Sequence, residues 1–165
     1  MTTPGDLAYL EPVGSLSPAP AAVALIVDEQ GRYLVQLRDD IPTIFFPNHW
    51  GCFGGALEPG ETHLEALHRE LHEELALDSA PLGAEEFTRF TFDFGFAGGG
   101  IIDRAFFEVP IKAAQVDDMV LGEGSELRLW DGPQLLKQPV VPYDRFAIWM
   151  HCYRTQLALG QPPTP

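Results

Sequence analysis

The sequence predicts a single α/β domain in which a mixed β-sheet packs against helices. Two observations carry that reading. Short apolar or alternating segments of strand length fall on both sides of one strongly periodic helix, and a second helical pattern follows near the end, so the order is strands, helix, strands, helix. A length of 165 residues with 45% hydrophobic content suits one packed core.

Residues 1–19 hold Pro4, Pro12 and Pro18, show little periodicity and are expected to form an N-terminal arm. The domain proper is expected over 20–159, with a proline-rich tail at 160–165. Residues 21–27 (AAVALIV) are an unbroken apolar run, the pattern of a buried strand. A turn at 28–31 leads into a second strand at 32–38 (RYLVQLR), and the two read as a hairpin. Residues 39–50, broken by Pro42 and Pro47, read as loop.

The clearest helix covers 62–77. Leu64, Leu67, Leu71 and Leu75 recur at steps of three and four, and Thr62 with Glu65 makes a capping box. Pro81 and Gly83 mark its exit. Residues 86–96 place Phe90, Phe92, Phe94 and Phe96 at every second position, a strand with one aromatic face. That face serves either as core or as a homodimer interface. The glycines at 98–100 make a turn, residues 101–109 return as a strand, and 127–130 form another short one. A turn or short helix starts at 132. Phe146, Trp149, Met150 and Tyr153 stand at helical spacing and define a helix over 143–159.

The net charge is −14, from 24 acids against 10 Lys and Arg. Contact with a nucleic-acid backbone needs the opposite balance, so no nucleic-acid partner is expected. No apolar run reaches the ~18 residues of a membrane span, and the first residues lack a basic region followed by an apolar one, so a cytoplasmic location is expected. Cys52 and Cys152 form no CxxC pair and are expected as free thiols.

The informative segment is GGALEPGE at 54–61, followed by RELHEELAL at 69–77. On a helix Glu70, Glu73 and Glu74 share an arc of about 100°, next to the leucine arc that buries the helix. Three carboxylates so close repel one another. A divalent cation removes that cost, and Mg²⁺ or Mn²⁺ prefers such oxygen ligands while leaving room for phosphates. Arg69 and Glu61 suit a pair that fixes the loop to the helix. Gly54, Gly55 and Gly60 let the backbone approach a ligand closely. His68 and His72 invite a zinc reading, but the order HRELH is not HExxH, and both lie about opposite the acid arc, so they are expected as solvated or packed side chains.

With Gly55, Glu61, Arg69, Glu70, Leu71, Glu73, Glu74 and Leu77 in register, the segment resembles the Nudix box and the chain resembles the Nudix hydrolase family of MutT-like proteins. Ala76 departs from the pattern, which has Gly there. The resemblance implies a Nudix-type α/β/α sandwich with a mixed β-sheet. It also implies metal-dependent hydrolysis of a diphosphate bond in a nucleoside diphosphate linked to another group, with nucleoside triphosphates and nucleotide sugars both open. It implies Glu70, Glu73, Glu74 and the Gly54 carbonyl as ligands of Mg²⁺ (or Mn²⁺), and structural roles for Arg69 and Glu61. The water-activating base is Glu70 or Glu123, with Glu126 behind them. Arg38, Phe46 and Trp50 are candidate contacts to a small nucleotide-like diphosphate substrate; loop anchoring is the alternative for the two aromatics, surface pairing for Arg38 and Arg104. Asp103 and Glu108 are not assigned a role. A non-catalytic nucleotide-binding sensor is the rival reading. An isomerase using Cys52 is a second rival.

Overall fold

The apolar run after Pro20 forms β1 (Ala21–Asp28), the middle of a seven-stranded mixed sheet. This structure, a computed structural model, describes residues 19–95 and 100–158. The expected arm (apart from residue 19) and tail, together with Phe96 and part of the glycine turn, lie outside the described residues.

β1 runs parallel to β6 (Ile101–Ile111) over its full length, from Ala21 opposite Arg104 to Asp28 opposite Ile111. On its other side it meets β2 (Arg32–Leu37) only beside the hairpin turn, at Ile26↔Leu34 and Val27↔Tyr33. The two strands then diverge, and residues 50–56 fill the wedge between them. Within it β3 (Trp50–Gly51) pairs with β2, and β4 (Phe53–Ala56) pairs with β1. β5 (Glu85–Asp93) lies outside β6, and β7 (Glu126–Asp131) lies outside β2.

Because both faces of β1 are covered, it reads as an unbroken apolar run rather than an alternating one. Ala22, Ala24 and Ile26 face α1 (His63–Leu75), where Phe53, Leu67, Leu71 and Leu75 complete one core. Val23 and Leu25 face the opposite layer, made by the short α2 (Gly132–Leu135) and by α3 (Pro142–Cys152), whose Ala147 and Ile148 join a second core. The architecture is the expected three-layer sandwich. No helix among the described residues is long and apolar enough to cross a membrane.

Three local expectations change. Residues 50–56 are strands rather than the end of a loop; their glycines hide the strand pattern. α1 stops at Leu75 because Ala76 adopts the left-handed conformation, φ 54° and ψ 26°, which turns the next N–H, of Leu77, back to the Leu71 carbonyl at 3.2 Å. α3 ends at Cys152, and its buried stripe is Asp144, Ala147, Ile148 and His151. The aromatics that suggested the helix face outward, Phe146 at 53% and Trp149 at 41% exposure. Within the chain, Phe90 packs on Phe106 and Phe146, and Phe92 on Tyr143.

Candidate active site

The capping box starts α1 where the sequence places it: the Glu65 N–H reaches Thr62 Oγ1 at 3.3 Å, and the Thr62 N–H reaches Glu65 Oε2 at 2.8 Å. From that start Leu67, Leu71 and Leu75 dock on the sheet, while Leu64 stays exposed, and they turn Glu70 and Glu74 toward β4. The Gly54 N–H donates to Glu74 Oε2 at 2.8 Å. Gly54 has φ 126°, and a Cβ there would stand 2.2 Å from the Ala22 carbonyl. A Cβ on Gly55 would stand 2.5 Å from the carboxyl carbon of Glu70. Each glycine therefore makes room for something specific, Gly54 for the neighbouring strand and Gly55 for the Glu70 carboxylate.

Arg69 ties the loop, β4 and the helix together. Its Nε and Nη2 grip Glu61 at 2.8 and 3.0 Å, Nη2 also reaches the Ala56 carbonyl at 2.9 Å, and Nη1 reaches Glu70 at 2.7 Å and Glu73 at 3.3 Å. The hydrogen bonds from Arg69 pull the Glu61 carboxyl down to about 2.

A second loop closes over the end of α1. The Gly122 N–H donates to the Glu74 carbonyl at 2.8 Å and the Val120 N–H to the Leu75 carbonyl at 3.1 Å, which satisfies helix carbonyls that would otherwise lack partners. The docking brings Glu123 near the helix acids, where its charge acts on both Glu70 and Glu74. Glu126 is not brought with it. Its neighbours Leu127 and Leu129 pack into the α1-side core, so Glu126 lies on the other face, paired with Arg128.

Burial pushes Glu74 up to about 8, with the Glu70 and Glu123 charges adding and the Gly54 N–H opposing. Burial also raises Glu70, against its bond to Arg69. Glu73 is 58% exposed and turned to Arg69. Among the described residues no three His, Cys, Asp or Glu side chains gather closely enough to enclose an ion. What converges is an all-oxygen set of two desolvated carboxylates with Glu123 and Glu73 beside them, short of positive charge. That donor chemistry fits Mg²⁺ or Mn²⁺ and not zinc. His68 is engaged elsewhere, with Nδ1 2.7 Å from Ser79 Oγ, and His72 points to solvent. Both cysteines are free thiols; Cys52 is buried, and burial drives its thiol well up.

On the other side of β3 and β4 lies a cluster that the sequence reading missed. Asp144, in the first turn of α3, is buried. Its Oδ2 accepts the Cys52 N–H at 2.9 Å, and its Oδ1 meets no donor among the described residues. Burial pushes it up to about 6, against the charges of Arg104 and Arg38. The Arg104 guanidinium stands 4.2 Å from the Tyr143 ring centre. The only sequence signal for Asp144 was its place on a stripe with Ala147 and Ile148.

Of the candidate substrate contacts, Arg38 lies in the wedge, its Nε on the Phe45 carbonyl at 2.9 Å and its charge felt by both Glu74 and Asp144. A groove of about 250 Å³ runs beside it, lined by Gln36, Ile41, Ile44 and Glu123. Phe46 has φ 51°, and its ring meets Tyr143 edge-on at 5.7 Å. Trp50 is buried, covered by Trp130 at 5.4 Å and by Arg128, so it anchors β3 and offers no open face. Asp103 pairs with Arg89 and His63, and Glu108 pairs with His151 and Arg154.

A NUDIX domain family model matches residues 17–149. The nucleoside triphosphatase NudI of Enterobacter sp. (strain 638) is 44% identical over 54 residues, 32% of this chain and 37% of that protein. NudI of Escherichia coli O1:K1 is 39% identical over 71 residues, 42% of this chain and 47% of that protein. The chain thus matches less than half the length of these curated relatives. Among solved structures, the E. coli dihydroneopterin triphosphate pyrophosphohydrolase shares the fold, with TM-score 0.67 at 20% identity over 86% of this chain and 99% of that one.

Proposed function

The chain belongs to the NUDIX domain family, and from that premise we propose that it hydrolyses a diphosphate bond in a nucleotide, with nucleoside triphosphates the first substrate class and nucleotide sugars the second. The observation that carries this is the pair of desolvated acids, Glu70 and Glu74, set against Gly54 and Gly55 with the Arg38 charge close by. Glu70, Glu74 and the Gly54 carbonyl, with Glu73, would hold Mg²⁺ or Mn²⁺. When bound, such an ion neutralises the diphosphate and acidifies an attacking water.

The chain's own residues do the rest. Arg69 holds Glu61, Glu70 and β4 in one arrangement, so the acids keep their places while charge builds on the phosphate. Glu123, on an exposed loop beside Glu70 and Glu74, takes the proton from the attacking water; Glu70 is the alternative base. Arg38 balances phosphate charge from the wedge. Beyond it, the buried, unpartnered acceptor of Asp144 and the Tyr143 and Phe46 rings receive an N–H-bearing heterocycle. Water adds to one phosphorus, the bridging oxygen leaves with the other, and a nucleoside monophosphate is released.

The test is release of a nucleoside monophosphate, with pyrophosphate or the phosphorylated partner as the second product, from ATP, GTP, CTP, UTP, nucleotide sugars, ADP-ribose and dinucleoside polyphosphates, with Mg²⁺ or Mn²⁺, with EDTA, and with Glu74→Gln. Turnover that needs the ion and is lost in the variant supports the proposal. Nucleotide binding without turnover on any of them would overturn it in favour of a sensor.

A further inference from the structure

The four residues that α3 turns to the sheet, Asp144, Ala147, Ile148 and His151, follow the i, i+3, i+4, i+7 spacing of one helical face. The inner two are apolar, and both ends are polar. His151 is 4% exposed. Its Nδ1 lies 2.7 Å from the Tyr33 hydroxyl and its Nε2 lies 2.8 Å from Glu108 Oε2. Nε2 also lies 2.7 Å from Arg154 Nη1, so the ring meets Tyr33 through one nitrogen and the Glu108–Arg154 pair through the other. Arg154 pairs with Glu108 and closes the chain of contacts. Tyr33 belongs to β2 and Glu108 to β6, the strands flanking β1 on either side. One side chain is thereby tied to both flanks of the sheet.

Apolar contact through Ala147 and Ile148 holds α3 down but has no direction along the surface. A satisfied buried network does, because only one arrangement completes it. Two helical turns, about 10.5 Å, separate His151 from Asp144, and a helix is stiff over that length. At the Asp144 end the backbone is pinned as well, with the Val141 N–H on the Trp50 carbonyl at 2.9 Å.

We propose that the Tyr33–His151–Glu108 relay is a positioning device for the substrate end of α3: it fixes the helix along and about its axis, so that Asp144 stands where the heterocycle of the substrate meets it. This rests on the reading of Asp144 given above. His151 and Tyr33 are positioning residues that act through Asp144. Asp144 holds the ring in the ground state and the transition state alike, so its displacement raises KM and leaves kcat in place.

The experiment measures kcat and KM with whichever of ATP, GTP, CTP and UTP is turned over fastest, for Tyr33→Phe, His151→Phe, Asp144→Asn and the His151→Phe/Asp144→Asn double variant, with thermal melts of each. The expected result is a KM raised about three- to tenfold by Asp144→Asn, by His151→Phe and by Tyr33→Phe, the range of one lost hydrogen bond, with kcat within about twofold. In the Asp144→Asn background His151→Phe adds nothing further. Unchanged KM in both relay variants, with a lower melting temperature, would overturn the proposal and leave the Asp144 reading standing. So would a KM rise that persists in the Asp144→Asn background. An unchanged KM in Asp144→Asn itself would remove the Asp144 reading and the relay's role together. If His151→Phe does not fold, Tyr33→Phe, which removes a single hydroxyl, carries the same test.

Discussion

Replacing Gly55 by Ala would place a methyl carbon 2.5 Å from the carboxyl carbon and Oε1 of Glu70, where ordinary contact begins at 3.4 Å. The carboxylate must then retreat by about 1 Å, and its 2.7 Å bond to Arg69 stretches or breaks. The atoms that move are the end of a flexible side chain, so the cost in stability is small, within about 1 kcal/mol, and the lower chain entropy of Ala in the unfolded state offsets part of it. The cost in rate is not small, because a misplacement of about 1 Å in a positioned catalytic group is worth on the order of 10²-fold. Gly55→Ala is expected to fold, to melt within a few degrees of the parent, and to lose about two orders of magnitude in kcat. Gly54→Ala is the contrast. There the obstacle is the Ala22 backbone at 2.2 Å with φ 126°, so that variant loses its fold along with its activity. Steady-state kinetics and thermal melts on the two variants decide the matter. A folded Gly55→Ala with full turnover would show that catalysis does not use Glu70 in this position.

Arg69→Lys keeps the charge but gives up the two-pronged hold on Glu61; kcat/KM is expected to fall by about tenfold or more, and exchange of the Glu61 amide, which donates to the Glu58 carbonyl, is expected to speed up. Unchanged exchange would refute that. Asp144 has a folded pKa of about 6 against an ordinary 3.8, so the fold binds its proton more tightly: the stability it contributes is full below pH ~4 and is lost as pH rises through ~6, up to about 3 kcal/mol. Asp144→Asn keeps an acceptor for the Cys52 N–H, and in melts across that range it should exceed the parent at pH ~7 and match it near pH ~4; a less stable variant at pH ~7 would contradict the buried-charge account. Ala76→Gly relieves the left-handed Ala at the end of α1 and should add about 1 kcal/mol, a rise of roughly 2–4 °C. A fall in melting temperature would mean that the chain freedom gained by Gly outweighs that strain. Mg²⁺ at about 100 times its Kd should stabilise the protein by about 2.7 kcal/mol and leave Glu74→Gln nearly unmoved; an equal shift in both would place the ion elsewhere.

What could be read from the sequence is what depends on local spacing. The leucine stripe and the Thr62–Glu65 box specify α1 without help from the rest of the chain, and the same spacing puts Glu70 and Glu74 on one edge of it. The apolar run of β1 and its hairpin were equally plain. The wedge at 50–56 was not, because Gly51, Gly54 and Gly55 carry no side chain to alternate, and their strand character comes from two partners that diverge elsewhere. α3 misled for a different reason. The spacing of its large aromatics marks the helix but not its buried face: the space over β1 admits only Ala147 and Ile148, while Asp144 and His151 are buried at its ends with partners supplied by distant segments, Cys52, Tyr33 and Glu108. A polar residue with its partner 43 to 118 positions away leaves no periodic trace.

The two strongly raised carboxylates, Glu74 and Asp144, are neighbours across one short segment of chain. Gly54 binds the first through its N–H and Cys52 binds the second through its own. Each acid alone is a cost to folding, since burial disfavours its charge. The fold bears both because β1 and β2 part, and the wedge strand turns its amides to acids on opposite faces of the sheet. The Arg38 charge acts on both acids and Arg104 acts on Asp144 more strongly, yet burial outweighs them at each. The site is therefore short of positive charge on the catalytic face and short of a donor on the other. A diphosphate arriving with its cation would supply the first, and the N–H edge of a heterocycle the second. A ligand that carries only one of these parts leaves the other deficit in place, so on the proposed function whole nucleotides are expected to bind more tightly than free pyrophosphate or free nucleosides.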